Sequence, residues 1–513
     1  MAPDDSELSK LLSSASLVFM GTLIGTFGKL LERVIIGQML SPSAYGEFSI
    51  GLTVLLLGTT LCAAGFLQGI PRFMARFDDR EDVRGVWLTG AIVAGGISIA
   101  IASALFVLAP YIFPRISDSS EATGLFRLFV VTMPILVCFR VGIATVRGLE
   151  NTRFKILAQN LIYPGSRLLL LVTLISVGVG VLATGVSYLL SASVSLVVVY
   201  LLLSRVFELR GSYRLHAREM VTFSAPLVVS TMASLLLTRT DTLMLGYFTT
   251  SRKVGIYNAA HPVAGALVIA LSAFGYLYLP LASRLDSEKG YESVGKVYEI
   301  TTKWMYVLVF PLFLVLVTFP GTMISIVFGP EYTAGSTALI VLSIGFFTNA
   351  AAGRNRETLS ALGFTNQILL ANAVAFVLNF VANLLLIPRY GYLGAAFASA
   401  FSYVSLNVVV YFVLRRRTDI SPFTSSSVRA FVTLPIVLLP LSYAVRTFVG
   451  RSIPVAVAFG ALSVVVTLVV VTVAGAVEAE DVILVEFVED RIGYRLPLVR
   501  NFIPAEETEI ELG

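Results

Sequence analysis

Apolar residues in this chain fall in long runs rather than in the alternating or three-and-four-spaced stripes of a soluble core. Fourteen stretches are apolar enough and long enough to cross a bilayer, which takes about 20 residues each. They are 13–40, 47–69, 85–110, 124–148, 154–176, 179–204, 219–247, 254–282, 302–319, 335–361, 366–387, 392–414, 428–446 and 452–475. Each predicts a helix, because in lipid a segment has to satisfy its own backbone N–H and C=O groups. Gly178 and Gly180 separate spans 5 and 6, and Pro388 and Gly391 separate spans 11 and 12, so each of those regions reads as a hairpin of two helices.

The loops are short, and their charge sets an orientation. With the N-terminus inside, the inner segments hold 22 Lys and Arg and the outer ones hold 7. The positive-inside rule then places both termini in the cytoplasm and the chain, as a multi-pass protein, in the cell membrane. The first apolar run is too long for a cleaved signal and lacks a small-residue cleavage site at its end.

Composition narrows the class. Of 513 residues, 56% are hydrophobic and only 13% charged, with a mean hydropathy of +0.86, against about 25% charged in ordinary soluble chains. That excludes a soluble enzyme, a nucleic-acid-binding protein and a disordered chain. Cys62 and Cys138 lie in apolar runs without metal-ligand spacing, so neither a metal nor a cofactor is expected. Residues 477–513 hold ten acids and three arginines, so the net charge of +5 hides a body at +12. A basic body suits membrane topology, anionic headgroups or an anionic substrate.

An internal repeat organises the body. At a shift of 209, Glu32 meets Asp241, Gly37 meets Gly246 and Gly46 meets Gly255; at 211, the stretch starting at Gly180 meets the one starting at Gly391. The shift covers six spans, an even number, so the halves enter the membrane in the same direction and relate by a pseudo-two-fold along the membrane normal. The expected fold is an all-α polytopic membrane protein: two six-helix bundles, 1–210 and 211–417, then helices 13–14 in 418–476 and an acidic cytoplasmic tail, 477–513.

Several stretches carry a family resemblance: Gly65 through Phe73, Asp241 through Tyr257, Phe328-Gly329-Pro330-Glu331-Tyr332, Leu362 through Asn366 and above all Asn379 through Ala398. Together they resemble the oligosaccharide flippase, or polysaccharide transporter, branch of the multidrug/oligosaccharidyl-lipid/polysaccharide exporter superfamily, from about Leu12 to Arg417. The resemblance implies a monomer that moves a polyprenyl- or dolichyl-linked oligosaccharide, on a phosphate or pyrophosphate, from the cytoplasmic to the outer leaflet. It also implies a cationic lumen, a lipid tail left in the bilayer, and a place beside polysaccharide polymerases or glycosyltransferases in surface polysaccharide or glycoprotein assembly.

Charges inside spans point to a cavity or a partner. Lys29, Glu32 and Arg33 share one helical face, matched in the second half by Thr238, Asp241 and Thr242. Lys29, Arg33, Arg140, Arg239 and Arg354 are the candidates for holding the pyrophosphate, since cationic donors replace the water a phosphate loses. Glu32 and Asp241 are candidates for charge balance or for coupling to H⁺ or Na⁺. Arg167 adds to the buried basic excess, and Arg354 can pair with Glu357. A multidrug or cation antiporter of the same superfamily calls for an acidic, aromatic site. A membrane glycosyltransferase or ligase calls for paired carboxylates and a long outer loop. Both stand behind the flippase reading; no nucleic-acid partner is expected.

Overall fold

A computed structural model describes residues 24–117 and 121–482. Most of the acidic tail, from 483 onward, and the first part of span 1 lie outside the described residues. The chain is an all-α polytopic membrane protein, with no strand among the described residues. Eleven helical stretches among them are long and apolar enough to cross a membrane. The other three expected spans are helical where described: 24–39 entirely, 251–289 up to Lys289, and 152–176 with a change of helical register.

Two compact units are present. The first takes in the residues up to Asn258, with Val327–Glu331. It contains α1 (24–39), α2 (Pro42–Met74), α3 (Arg80–Ile112), α4 (Glu121–Gly148), α5 (Thr152–Lys155), α6 (Tyr163–Ser176), α7 (Leu182–Leu203), α8 (Ala217–Phe248) and the start of α9 (Ser251–Lys289). Helix α2 packs on α4 and α8, α4 on α3 and α7, and α6 on α7. The turn between α6 and α7 uses Gly178 and Gly180, both at positive φ, where glycine has no Cβ to clash. Asp79 caps the start of α3 by accepting from the Glu81 N–H and pairs with Arg214 at 3.6 Å.

Two glycines aligned at a shift of 209 meet in this unit. Gly46 of α2 and Gly255 of α9 meet backbone to backbone. A Cβ on Gly46 would lie 1.8 Å from the Ser251 carbonyl oxygen, and a Cβ on Gly255 1.8 Å from the Pro42 carbonyl oxygen. Each clash falls four residues before the partner glycine, as expected for a crossing near a two-fold. Small residues allow such close helix approach in membranes, where dispersion replaces the hydrophobic effect as the force between helices.

The second unit, Ala259–Ile326 with the residues from Tyr332 onward, holds the rest of α9, α10 (Tyr291–Thr318), most of α11 (Pro320–Phe328), α12 (Ser336–Ala351), α13 (Asn355–Ala361), α14 (Thr365–Tyr390), α15 (Tyr392–Thr418), α16 (Ser425–Ala444) and α17 (Ile453–Val473). Gly391, at φ 57°, makes the turn between α14 and α15. The last two helices pack on α10 around Tyr306, Phe310, Leu314, Leu434, Leu438 and Phe459. Beyond α17 the chain returns to α10: the buried Lys303 ammonium lies 2.8 Å from Asp481 and donates to the Ala476 carbonyl at 2.9 Å, and Trp304 Nε1 donates to Asp481. Asn383 donates to Asn379 one turn away at 3.0 Å. His261 packs edge-on against Phe346.

Candidate functional site

A cavity of about 410 Å³ lies within the first unit, walled by α1, α2, α4 and the chain from α5 to α6. Five cationic side chains line it: Lys29 from α1, Arg140 and Arg147 from α4, Lys155 from α5 and Arg167 from α6. No Asp or Glu is among the described residues that line it. Arg140 and Arg147 are two helical turns apart, hence on one face about 10 Å from each other.

The fourth wall owes its shape to one proline. Between α5 and α6, residues Ile156–Ile162 form a π-helix, in which the Tyr163 N–H reaches five residues back to the Ala158 carbonyl. Pro164 has no N–H to offer Asn160, and its ring crowds that carbonyl, so the regular four-residue register cannot continue. The wider turn absorbs the fault. Its effect is to keep Lys155, Gln159, Tyr163 and Arg167 on one line facing the cavity. In an unbroken α-helix each step of four overshoots a full turn by about 40°, so Arg167 would point roughly 120° away from Lys155.

Arg167 is held by Glu32, with 2.6 Å between nitrogen and oxygen and both side chains buried. Its guanidinium also lies over Tyr163 (4.9 Å) and Tyr188 (4.5 Å). Buried charge needs such partners, because the membrane interior offers no other solvation.

Of the residues singled out from sequence, Lys29 and Arg140 line this cavity. Arg33 and Arg239 are not among its lining residues. Glu32 sits behind the wall, on Arg167. Asp241 is buried and accepts from the Tyr257 hydroxyl at 2.7 Å. Arg354 belongs to the other unit, where it donates to Glu357 at 2.9 Å and to the Leu271 carbonyl. In the sequence Arg147 and Lys155 read only as topology charges, and no motif singles out Gln159 or Asn160. For Lys155 and Gln159 the available signal is the four-residue spacing from Lys155 to Arg167 around Pro164; Arg147 and Asn160 carry none.

Residues 8–336 match the sequence profile of the polysaccharide biosynthesis protein family. The chain belongs to that family. A family relative, an uncharacterized membrane protein of Methanocaldococcus jannaschii, is 26% identical over 408 residues, 73% of this chain and 78% of the relative. Two proteins of Haloferax volcanii are also similar. One, named a probable low-salt glycan biosynthesis flippase, is 28% identical over 199 residues, 38% of this chain and 41% of the relative. The other, named a probable flippase, is 22% identical over 435 residues, 83% and 88% of the two chains. Among solved structures, the lipid II flippase MurJ in an inward closed conformation has a TM-score of 0.71 at 11% identity, covering 89% of this chain and 98% of its own. An inward-facing multidrug resistance transporter of the MATE family has a TM-score of 0.58 at 15% identity, covering 79% and 98%. The fold is therefore that of the multidrug/oligosaccharidyl-lipid/polysaccharide exporters.

Proposed function

We propose that this member of the polysaccharide biosynthesis family is a flippase for a lipid-linked oligosaccharide and that the cavity beside α1 and α4 receives its phosphate or pyrophosphate. One observation carries the reading: five cations line a cavity in a membrane protein, with no acid among the described residues that line it. A phosphate leaving water needs charge-assisted donors; a cationic drug would meet repulsion there. That argues against the antiporter alternative, and the protein is a transporter rather than a glycosyltransferase.

The positive-inside orientation puts Arg147, in the last turn of α4, and Lys155 at the cytoplasmic mouth, with Lys29, Arg140 and Arg167 deeper. On this reading the headgroup passes inward from one cation to the next while the lipid tail stays in the bilayer. The repeats 1–210 and 211–417 then rock to expose the lumen to the outer leaflet, in a monomer with both termini in the cytoplasm. Glu32 serves charge balance, because Arg167 already engages it. Arg33, Arg239 and Arg354 would act at other stages of transport, and Asp241 remains the candidate for H⁺ or Na⁺ coupling.

The test is leaflet exchange in proteoliposomes, using a fluorescent polyprenyl-pyrophosphate oligosaccharide and a membrane-impermeant quencher. Wild type should exchange the lipid, and Lys29→Ala/Arg140→Gln should lose most of that activity. Exchange equal in both would remove this cavity from the transport route. No exchange under an ion gradient, together with export of a cationic dye, would favour the antiporter.

A further inference from the structure

The cations account for a phosphate but not for what is attached to it. Two carboxamides also line the cavity, those of Gln159 and Asn160, adjacent on the π-turn and between Lys155 and Arg167 along the same wall. Neither carboxamide has a hydrogen-bond partner among the described residues, whereas the hydroxyls of Thr132, Thr145 and Thr173 bond to their own helices. An uncommitted amide within a membrane-spanning stretch is expensive unless it faces water or a ligand. Gly25 of α1 leaves room beside this pair: a Cβ there would touch the Asn160 carboxamide nitrogen at 3.6 Å.

The chemistry of the pair is specific. A carboxamide both donates and accepts, as a sugar hydroxyl or an acylamino group does. It carries no charge, so it adds nothing to phosphate attraction and does not repel it. The π-turn, a register change often found at functional sites, is what turns both amides toward the cations.

We propose that Gln159 and Asn160 form a carbohydrate-reading subsite that hydrogen-bonds the sugar unit attached directly to the phosphate, adjoining the cations that hold the phosphate itself. This rests on the flippase reading. The cations set whether a lipid phosphate binds, and the amides set which glycosylated carriers are preferred.

The experiment uses the full chain in nanodiscs and two probes: a short-chain polyprenyl diphosphate, and the same carrier bearing one N-acetylhexosamine. Wild type should bind the glycosylated probe more tightly, by about tenfold for two neutral hydrogen bonds. Gln159→Leu/Asn160→Leu should remove that preference and leave affinity for the bare diphosphate within about twofold. Gln159→Ala, at an exposed position, should remove part of the preference and guards against misfolding of the double variant. Equal binding of both probes by wild type, or a preference that survives in the double variant, would overturn the subsite. Arg140→Gln separates the two readings: it should weaken both probes together. If it changes neither, the phosphate assignment fails, whatever the amides do.

Discussion

Replacing Glu32 by Gln should destabilise the protein without weakening anion binding. Both side chains of the Glu32–Arg167 pair are at most 5% exposed, and their charged atoms are 2.6 Å apart. Removing one partner of such a pair leaves an uncompensated buried charge, which typically costs about 3–5 kcal/mol. Here the lower end is expected, about 3 kcal/mol, because Tyr163 and Tyr188 stay over the guanidinium and Arg167 lines a cavity. Arg167→Met should cost a similar amount by stranding Glu32. The double variant should recover most of the loss, since an apolar replacement of a buried ion pair is often neutral. The assay is a double-mutant cycle on thermal unfolding of the purified protein in detergent, with diphosphate binding measured on each variant. The coupling expected from those losses is about 4–5 kcal/mol. Losses that simply add, or a Glu32→Gln variant as stable as wild type, would refute the buried-pair argument. A sharp fall in diphosphate affinity for Glu32→Gln would refute the charge-balance role, because removing a carboxylate should leave the cavity more attractive to an anion.

Other substitutions probe the helix geometry. Pro164→Ala restores an N–H four residues after Asn160, so the π-turn should relax to a regular helix, swing Lys155 and Gln159 away from Arg167, and weaken diphosphate binding several-fold with little loss of stability; titration with a polyprenyl diphosphate checks this. Gly46→Ala and Gly255→Ala should each destabilise the α2–α9 crossing by about 1–3 kcal/mol, and by similar amounts, because each added Cβ meets a carbonyl oxygen at 1.8 Å. Cysteines at Ser117 and Ser251, whose hydroxyl oxygens are 3.2 Å apart, should cross-link readily in the parent and poorly in the alanine variants. Asp481→Asn should lower the melting temperature, because it leaves the buried Lys303 ammonium without its 2.8 Å carboxylate, and limited proteolysis should then cut sooner after residue 476.

The class of this protein was legible from its sequence because the bilayer is a demanding solvent. Runs of about 20 apolar residues mean the same thing wherever they occur, so the all-α membrane fold followed from hydropathy alone. Gly46 and Gly255, which the sequence aligns at a shift of 209, sit where two backbones touch, so a Cβ on either must push a carbonyl aside. Lys29 and Arg140 stood out because a charge inside a span needs a reason. Tertiary structure decided which charges meet. Arg147 and Lys155 look like cytoplasmic anchors in the chain, yet they line the same cavity as Lys29. Glu32 shares a helical face with Lys29 and Arg33, yet its partner is Arg167, 135 residues away. Gln159 and Asn160 were invisible to a 3.6-residue period because a π-turn sets their direction. Spans are read from local chemistry that each segment carries by itself; a site depends on the rotation of each helix about its axis, and packing and a single proline set that rotation.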